Sequence, residues 1–174
     1  MKRFHRQRVL ILFAIILSLS LFLRCSPGGK LSSGASAPDF TLKTLEGQEM
    51  TLSKLEGKVV ILDFWATWCG PCRESIPHMV QLYNSSNEKG VEVLGMNLDK
   101  GGIDGVRNFV KALDIPYPIV LASDEVARNY GVQGIPTCVV IDKNGKVRHK
   151  YVGFSTAIVE QMSADAKTLL SEGS

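Results

Sequence analysis

The chain has 174 residues, 45% of them hydrophobic and 21% charged, with a formal net charge of +3. That length suits one domain of ordinary size plus a tail. Five basic groups (Lys2, Arg3, Arg6, Arg8 and Arg24) lie in residues 1–25 with no acidic residue, leaving fifteen basic against seventeen acidic residues beyond them and excluding a globally basic surface for nucleic acid.

The basic start is followed by Val9–Leu23, an unbroken run without charge. This layout of n-region and h-region predicts an export signal rather than part of the fold. Fifteen residues of helix span about 22 Å, less than the ~30 Å hydrocarbon core. Three fates stay open: an uncleaved anchor, cleavage, or a lipoprotein acylated on Cys25. Cys25 directly follows the apolar run, but Arg24 stands where lipoprotein signals carry a small residue. The positive-inside rule places the N-terminus in the cytoplasm and the rest outside. The expected divisions are residues 1–25 as signal or anchor, 26–38 (Ser-, Gly- and Pro-rich) as a flexible linker, and 39–174 as the domain.

Within the domain, Phe40–Thr44 and Gln48–Leu52 flank Glu46-Gly47 and read as a β-hairpin. Val59–Ala66 is a near-continuous apolar run, the pattern of a strand buried on both faces. A helix follows to about Ser85, with Pro77 inside it as a kink site. Val91–Leu98 is a second apolar strand, completing a right-handed βαβ unit. Val106, Phe109, Val110 and Leu113 recur at helical spacing, and Ile119–Leu121 reads as a short strand. Ser123 caps a short helix with Asp124 and Glu125 in its first turn and Gly131 past its end. Thr137–Asp142 and Lys146–Val152 pair across Asn144-Gly145. A last helix, about Thr156 to Leu170, turns Ile158, Met162, Ala166 and Leu169 inward.

Of the four cysteines (Cys25, Cys69, Cys72 and Cys138), only Cys69 and Cys72 have a meaningful spacing. Gly70 and Pro71 separate them, and Pro71 suits a first helical position because it has no N–H to leave unsatisfied. Cys69 then sits where helix N–H groups favour an anion, and a thiolate is the anion on offer. Cys72, one turn on, is placed to resolve a mixed disulfide. Half of a zinc site is the structural alternative, but His5, His78 and His149 supply no ligand spacing. Asp63 interrupts the apolar strand, and a buried carboxylate there is costly without a partner or a role. Cys138 reads as a small buried hydrophobe. Phe64 and Trp65 read as core.

Together, Ala37-Pro38-Asp39-Phe40, Phe64-Trp65-Ala66-Thr67-Trp68-Cys69-Gly70-Pro71-Cys72, Pro77, Tyr130-Gly131-Val132 and Gly134-Ile135-Pro136-Thr137 resemble the thioredoxin fold, and more narrowly the membrane-tethered TlpA/ResA group of thiol–disulfide oxidoreductases. The resemblance covers about residues 37–170. It implies an α/β fold with a central mixed sheet flanked by helices, an N-terminal β-hairpin and an inserted helix and strand region between Leu98 and Gly131. It implies a redox-active pair, Cys69 and Cys72, with Asp63 as the general base for Cys72 and a cis Pro136 opposite the dithiol. Ile135 would offer main-chain groups to an extended substrate, beside Gly70, Pro71 and the aromatic wall of Trp68. One position departs from the group: Ser75 stands where ResA-like relatives carry an acid, with Glu74 rotated about 100° away around the helix.

The expected activity is disulfide reduction outside the cytoplasm, with no cofactor and no metal. Exported proteins with oxidised Cys pairs, apocytochromes c among them, are the expected clients, and a membrane donor of the DsbD/CcdA type the expected source of electrons. A dithiol oxidase runs the same site in reverse. A peroxiredoxin shares the Pro-Asp-Phe opening but needs Pro-x-x-x-Thr-x-x-Cys, which Ala66-Thr67-Trp68 does not supply. A copper-delivery protein of the Sco type needs Cys-x-x-x-Cys, one residue longer than the spacing here.

Overall fold

The computed structural model describes residues 31–172. The signal segment and Cys25 lie outside them. Among the described residues no helix is long and apolar enough to cross a membrane.

In chain order the elements are β1 (Thr41–Lys43), β2 (Glu49–Thr51), β3 (Val59–Trp65), α1 (Gly70–Ser86), β4 (Val91–Asn97), α2 (Ile103–Ala112), β5 (Ile119–Leu121), α3 (Asp124–Asn129), β6 (Thr137–Ile141), β7 (Val147–Val152) and α4 (Thr156–Ser171). The main sheet runs β5-β4-β3-β6-β7, and β1-β2 forms a separate hairpin. Strands β3, β4 and β5 are parallel, while β6 is antiparallel to both β3 and β7. The sheet is mixed, as the resemblance implied. The mostly apolar character of β3 and β4 follows from their inner positions in the sheet, where both faces are covered and all seven residues of each strand are buried.

Alternation along β3 divides the core in two. Val59, Ile61 and Trp65 face a layer with Cys72, Ile76 and Met79 of α1 and Met162, Ala166 and Leu169 of α4. Val60, Leu62 and Phe64 face the other side, toward Phe40, Leu52 and Tyr130. Asp63 belongs by register to the first face, the one that α1 covers. In α4, Met162, Ala166 and Leu169 are buried as expected, whereas Ile158, near the helix start, is only half-buried. Helix α1 runs through Pro77 without a break.

Ser33–Ala37, placed in the linker on composition, is docked on the domain. Ser33 Oγ donates to the Arg148 carbonyl at 2.9 Å, and backbone bonds join Gly34 and Ala35 to Val147 and Ala37 to Gly145. Small residues allow this close backbone approach along the β6–β7 turn, although their composition alone reads as a tether.

Candidate active site

The loop after β3 delivers Cys69 to the start of α1. Cys69 is the N-cap: its backbone is extended, and its carbonyl takes the first helical bond from Arg73 N at 3.2 Å. Its Sγ accepts from Cys72 N, also at 3.2 Å. Gly70 opens the helix and Pro71 occupies its second residue, one later than the sequence suggested and still within the turn whose N–H groups have no helical partner. Cys69 and Cys72 are joined as a disulfide. Of the two residues Cys69 keeps 5% exposure and Cys72 none, so an incoming partner reaches the first sulfur before the second.

The Ile135–Pro136 peptide bond is cis and lies against the dithiol, with Cys69 Sγ 3.7 Å from the Ile135 carbonyl oxygen. Trp68, 69% exposed, stands beside them and shares a cleft with Leu98, Lys100, Arg128, Val132 and Ile135. The structure thus gathers Trp68, Cys69, Ile135 and Pro136 at one end of the sheet, while Phe64 and Trp65 are fully buried behind them. Ser75 is buried in α1, its hydroxyl donating to the Cys72 carbonyl at 2.9 Å. His78 is half-buried and packs against Phe154.

Asp63 is completely buried, and burial pushes its carboxyl up from 3.8 to about 6, offset in part by a hydrogen bond from Cys138. Lys58, just before β3, pairs with Glu92 at 2.8 Å and not with Asp63. Oδ1 of Asp63 accepts from Cys138 Sγ at 3.4 Å, and Oδ2 has no hydrogen-bond partner among the described residues. Cys138 is therefore more than a small apolar filler. Tyr117 lies in the same region: burial first, and the Asp63 charge second, push its phenol well above the ordinary value. Gly95 pairs with Asp63 in register, and a Cβ there would meet Ile119 Cδ1 at 2.3 Å, Trp65 Nε1 at 3.1 Å and Tyr117 Cε2 at 3.2 Å. A glycine is what allows this region to close.

Sequence reasoning missed the brace behind the cysteine loop. Asp99 accepts from Thr67 N at 2.8 Å, from Thr67 Oγ1 at 2.5 Å and from Asn97 Nδ2 at 2.7 Å. Burial raises the Asp99 carboxyl, but these bonds outweigh it and hold it below the usual value. Arg73 donates from Nε to the Thr67 carbonyl at 2.9 Å and lies over the Phe109 ring, which itself stacks on Trp65. The polar Asn97-Leu98-Asp99 end of an apolar strand was the available signal.

Comparison with known proteins assigns the arrangement. Residues 33–150 match the model of the AhpC/TSA family. The thiol-disulfide oxidoreductase ResA of Bacillus thuringiensis subsp. konkukian is 41% identical over 128 residues, 73% of each chain. The chain belongs to the ResA-like thiol–disulfide oxidoreductases of this family. ResA of Bacillus subtilis is 34% identical over 172 residues, covering 98% of this chain and 94% of its own. A crystal structure of a thiol:disulfide interchange protein of the thioredoxin family, from Chlorobium tepidum, superposes with a TM-score of 0.71 at 32% identity, covering 80% of this chain and 98% of that one. These relatives and the Cys69–Cys72 pair make the chain an oxidoreductase of thiols and disulfides. The thioredoxin-like fold and its hairpin agree with the resemblance read from the motifs.

Proposed function

We propose that the protein is a disulfide reductase held outside the cytoplasm by its N-terminal segment. The observation that carries this reading is the Cys69–Cys72 disulfide at the first turn of α1, with only Cys69 in contact with solvent. In the reduced protein, helix N–H groups favour ionised Cys69. Its thiolate attacks one sulfur of a client disulfide, forming a Cys69–client bond and releasing the other client sulfur as a thiolate. Asp63 takes the proton of Cys72, whose sulfur then attacks Cys69 Sγ. The Cys69–Cys72 bond forms, the client leaves with both sulfurs reduced, and two electrons have passed to it. Trp68 and the Ile135 main chain hold the client segment beside Cys69, with Gly70, Pro71 and Pro136 shaping the approach.

The basic start and the apolar run Val9–Leu23 support the extracytoplasmic placement. The clients are exported proteins with oxidised Cys pairs, including the Cys-x-x-Cys-His haem site of apocytochromes c. A membrane electron carrier of the DsbD/CcdA type restores the dithiol. The Gly-Pro pair between the cysteines, as in thioredoxin, supports the reducing direction.

The reduction potential tests that direction. Equilibration of the full chain with glutathione should give a value roughly in the range of thioredoxin, about −270 mV, whereas one near −120 mV would make it an oxidant.

A further inference from the structure

Across the α1-covered face of the sheet, Gly95, Asp63, Cys138 and Tyr151 fall in register on β4, β3, β6 and β7. Three of the four bring polar atoms into a layer otherwise built from residues such as Ile61, Trp65 and Val140. Buried cysteines are ordinarily inert packing residues. Cys138 instead makes the one side-chain hydrogen bond that Asp63 has among the described residues, S–H to Oδ1 at 3.4 Å. Burial, and then the adjacent carboxylate, keep the proton on its sulfur, so it serves as a donor and not as a competing nucleophile.

We propose that Cys138 is a positioning residue for thiol–disulfide exchange: its S–H holds Oδ1 of Asp63, leaves Oδ2 as the oxygen that accepts the Cys72 proton, and sets the pH at which the resolving step switches on. The proposal rests on Asp63 acting as the base for Cys72. Around the carboxyl, β6 contributes Cys138, the segment before β5 contributes Tyr117, and α1 contributes Cys72 to the same layer. Beyond Cys138, Tyr151 of β7 is bonded to Asp165 of α4, whose other oxygen accepts from Gln161; His149 Nδ1 lies 3.7 Å from Asp165. Among the described residues no cation pairs with Asp63, since Lys58 is engaged by Glu92. Removing the S–H therefore removes the side-chain interaction that favours carboxylate over acid at this position, and ionisation moves to higher pH.

The test is single-turnover reduction of a disulfide-bonded model protein by the full-length dithiol form, followed across pH in wild type, C138A, C138S and D63N. The ionisation of Asp63 is read in parallel from its carboxyl carbon resonance in the oxidised protein. In C138A the limb governed by Asp63 should move up by about one pH unit, so that resolution at pH 6 slows about five-fold while the high-pH plateau is unchanged. C138S, which keeps a donor, should return the limb toward wild type. C138V, which fills the site without a donor, must behave as C138A does and serves if C138A does not fold. A limb that vanishes in D63N while the wild-type and C138A profiles superimpose overturns the role of Cys138 and leaves that of Asp63 standing. A D63N profile identical to wild type overturns both.

Discussion

Replacing Asp63 by Asn should stabilise the folded protein relative to wild type progressively as pH rises from 3.5 to 8. The carboxyl ionises near 3.8 in an ordinary setting and at about 6 in its buried one. A raised folded-state value means that the native protein binds this proton more tightly than the unfolded chain. The contribution of Asp63 to stability is thus fully present below about pH 4, declines between about 4 and 6, and is lost above that window. The change corresponds to about 3 kcal/mol across the range. Asn does not titrate, so the difference in unfolding free energy between D63N and wild type should shift by about that amount in favour of D63N. Urea unfolding of the oxidised proteins at pH 3.5, 5, 6.5 and 8 measures it, with midpoints compared at a common slope. Other carboxyls titrate alike in both proteins and cancel. Any fixed cost of placing an amide beside Cys138 is independent of pH and cancels as well. A gap constant to within about 0.5 kcal/mol would refute the argument that burial dominates the ionisation of Asp63.

Three further outcomes are expected. Trp68→Ala should raise KM for a protein disulfide several-fold while leaving kcat and Tm in place, because the side chain is exposed beside Cys69 and carries little of the core; an unchanged KM argues against a client-binding role. Gly95→Ala should destabilise the protein by about 1–3 kcal/mol through overpacking against Ile119, Trp65 and Tyr117. A thermal midpoint equal to that of wild type would show that the region closes without the glycine. Asp99→Asn should lower the urea midpoint at pH 7, with the gap narrowing as pH falls below 4, since a depressed carboxyl contributes its stability only while ionised; a gap independent of pH would mean that the charge on Asp99 does not brace Thr67.

The parts of the fold that were legible in the sequence are those whose signal is local. A seven-residue strand apolar at all positions but Asp63, a thiol pair spaced across one helical turn, an Asn-Gly hairpin and a Ser cap before Asp-Glu each carry their own instruction, and β3, α1, the β6–β7 hairpin and α3 lie where those instructions place them. Register is not local. The meeting of Asp63 with Cys138 depends on how β6 slides against β3, and a shift of one residue would turn Cys138 to the other face. The Thr67–Asp99 brace is likewise invisible until β3 and β4 are aligned side by side. The docking of Ser33–Ala37 escaped notice because small polar residues carry no hydrophobic pattern to announce a surface.

All of the chemistry assigned to the site depends on ionised sulfur at the first turn of α1. The rate of alkylation of Cys69 in the reduced full-length protein, followed from pH 4 to 10, reads that ionisation directly. Half-maximal reactivity should fall at a pH below that of an ordinary thiol, about 8.5. A Cys69 that is still unreactive and protonated at pH 9 would contradict the account.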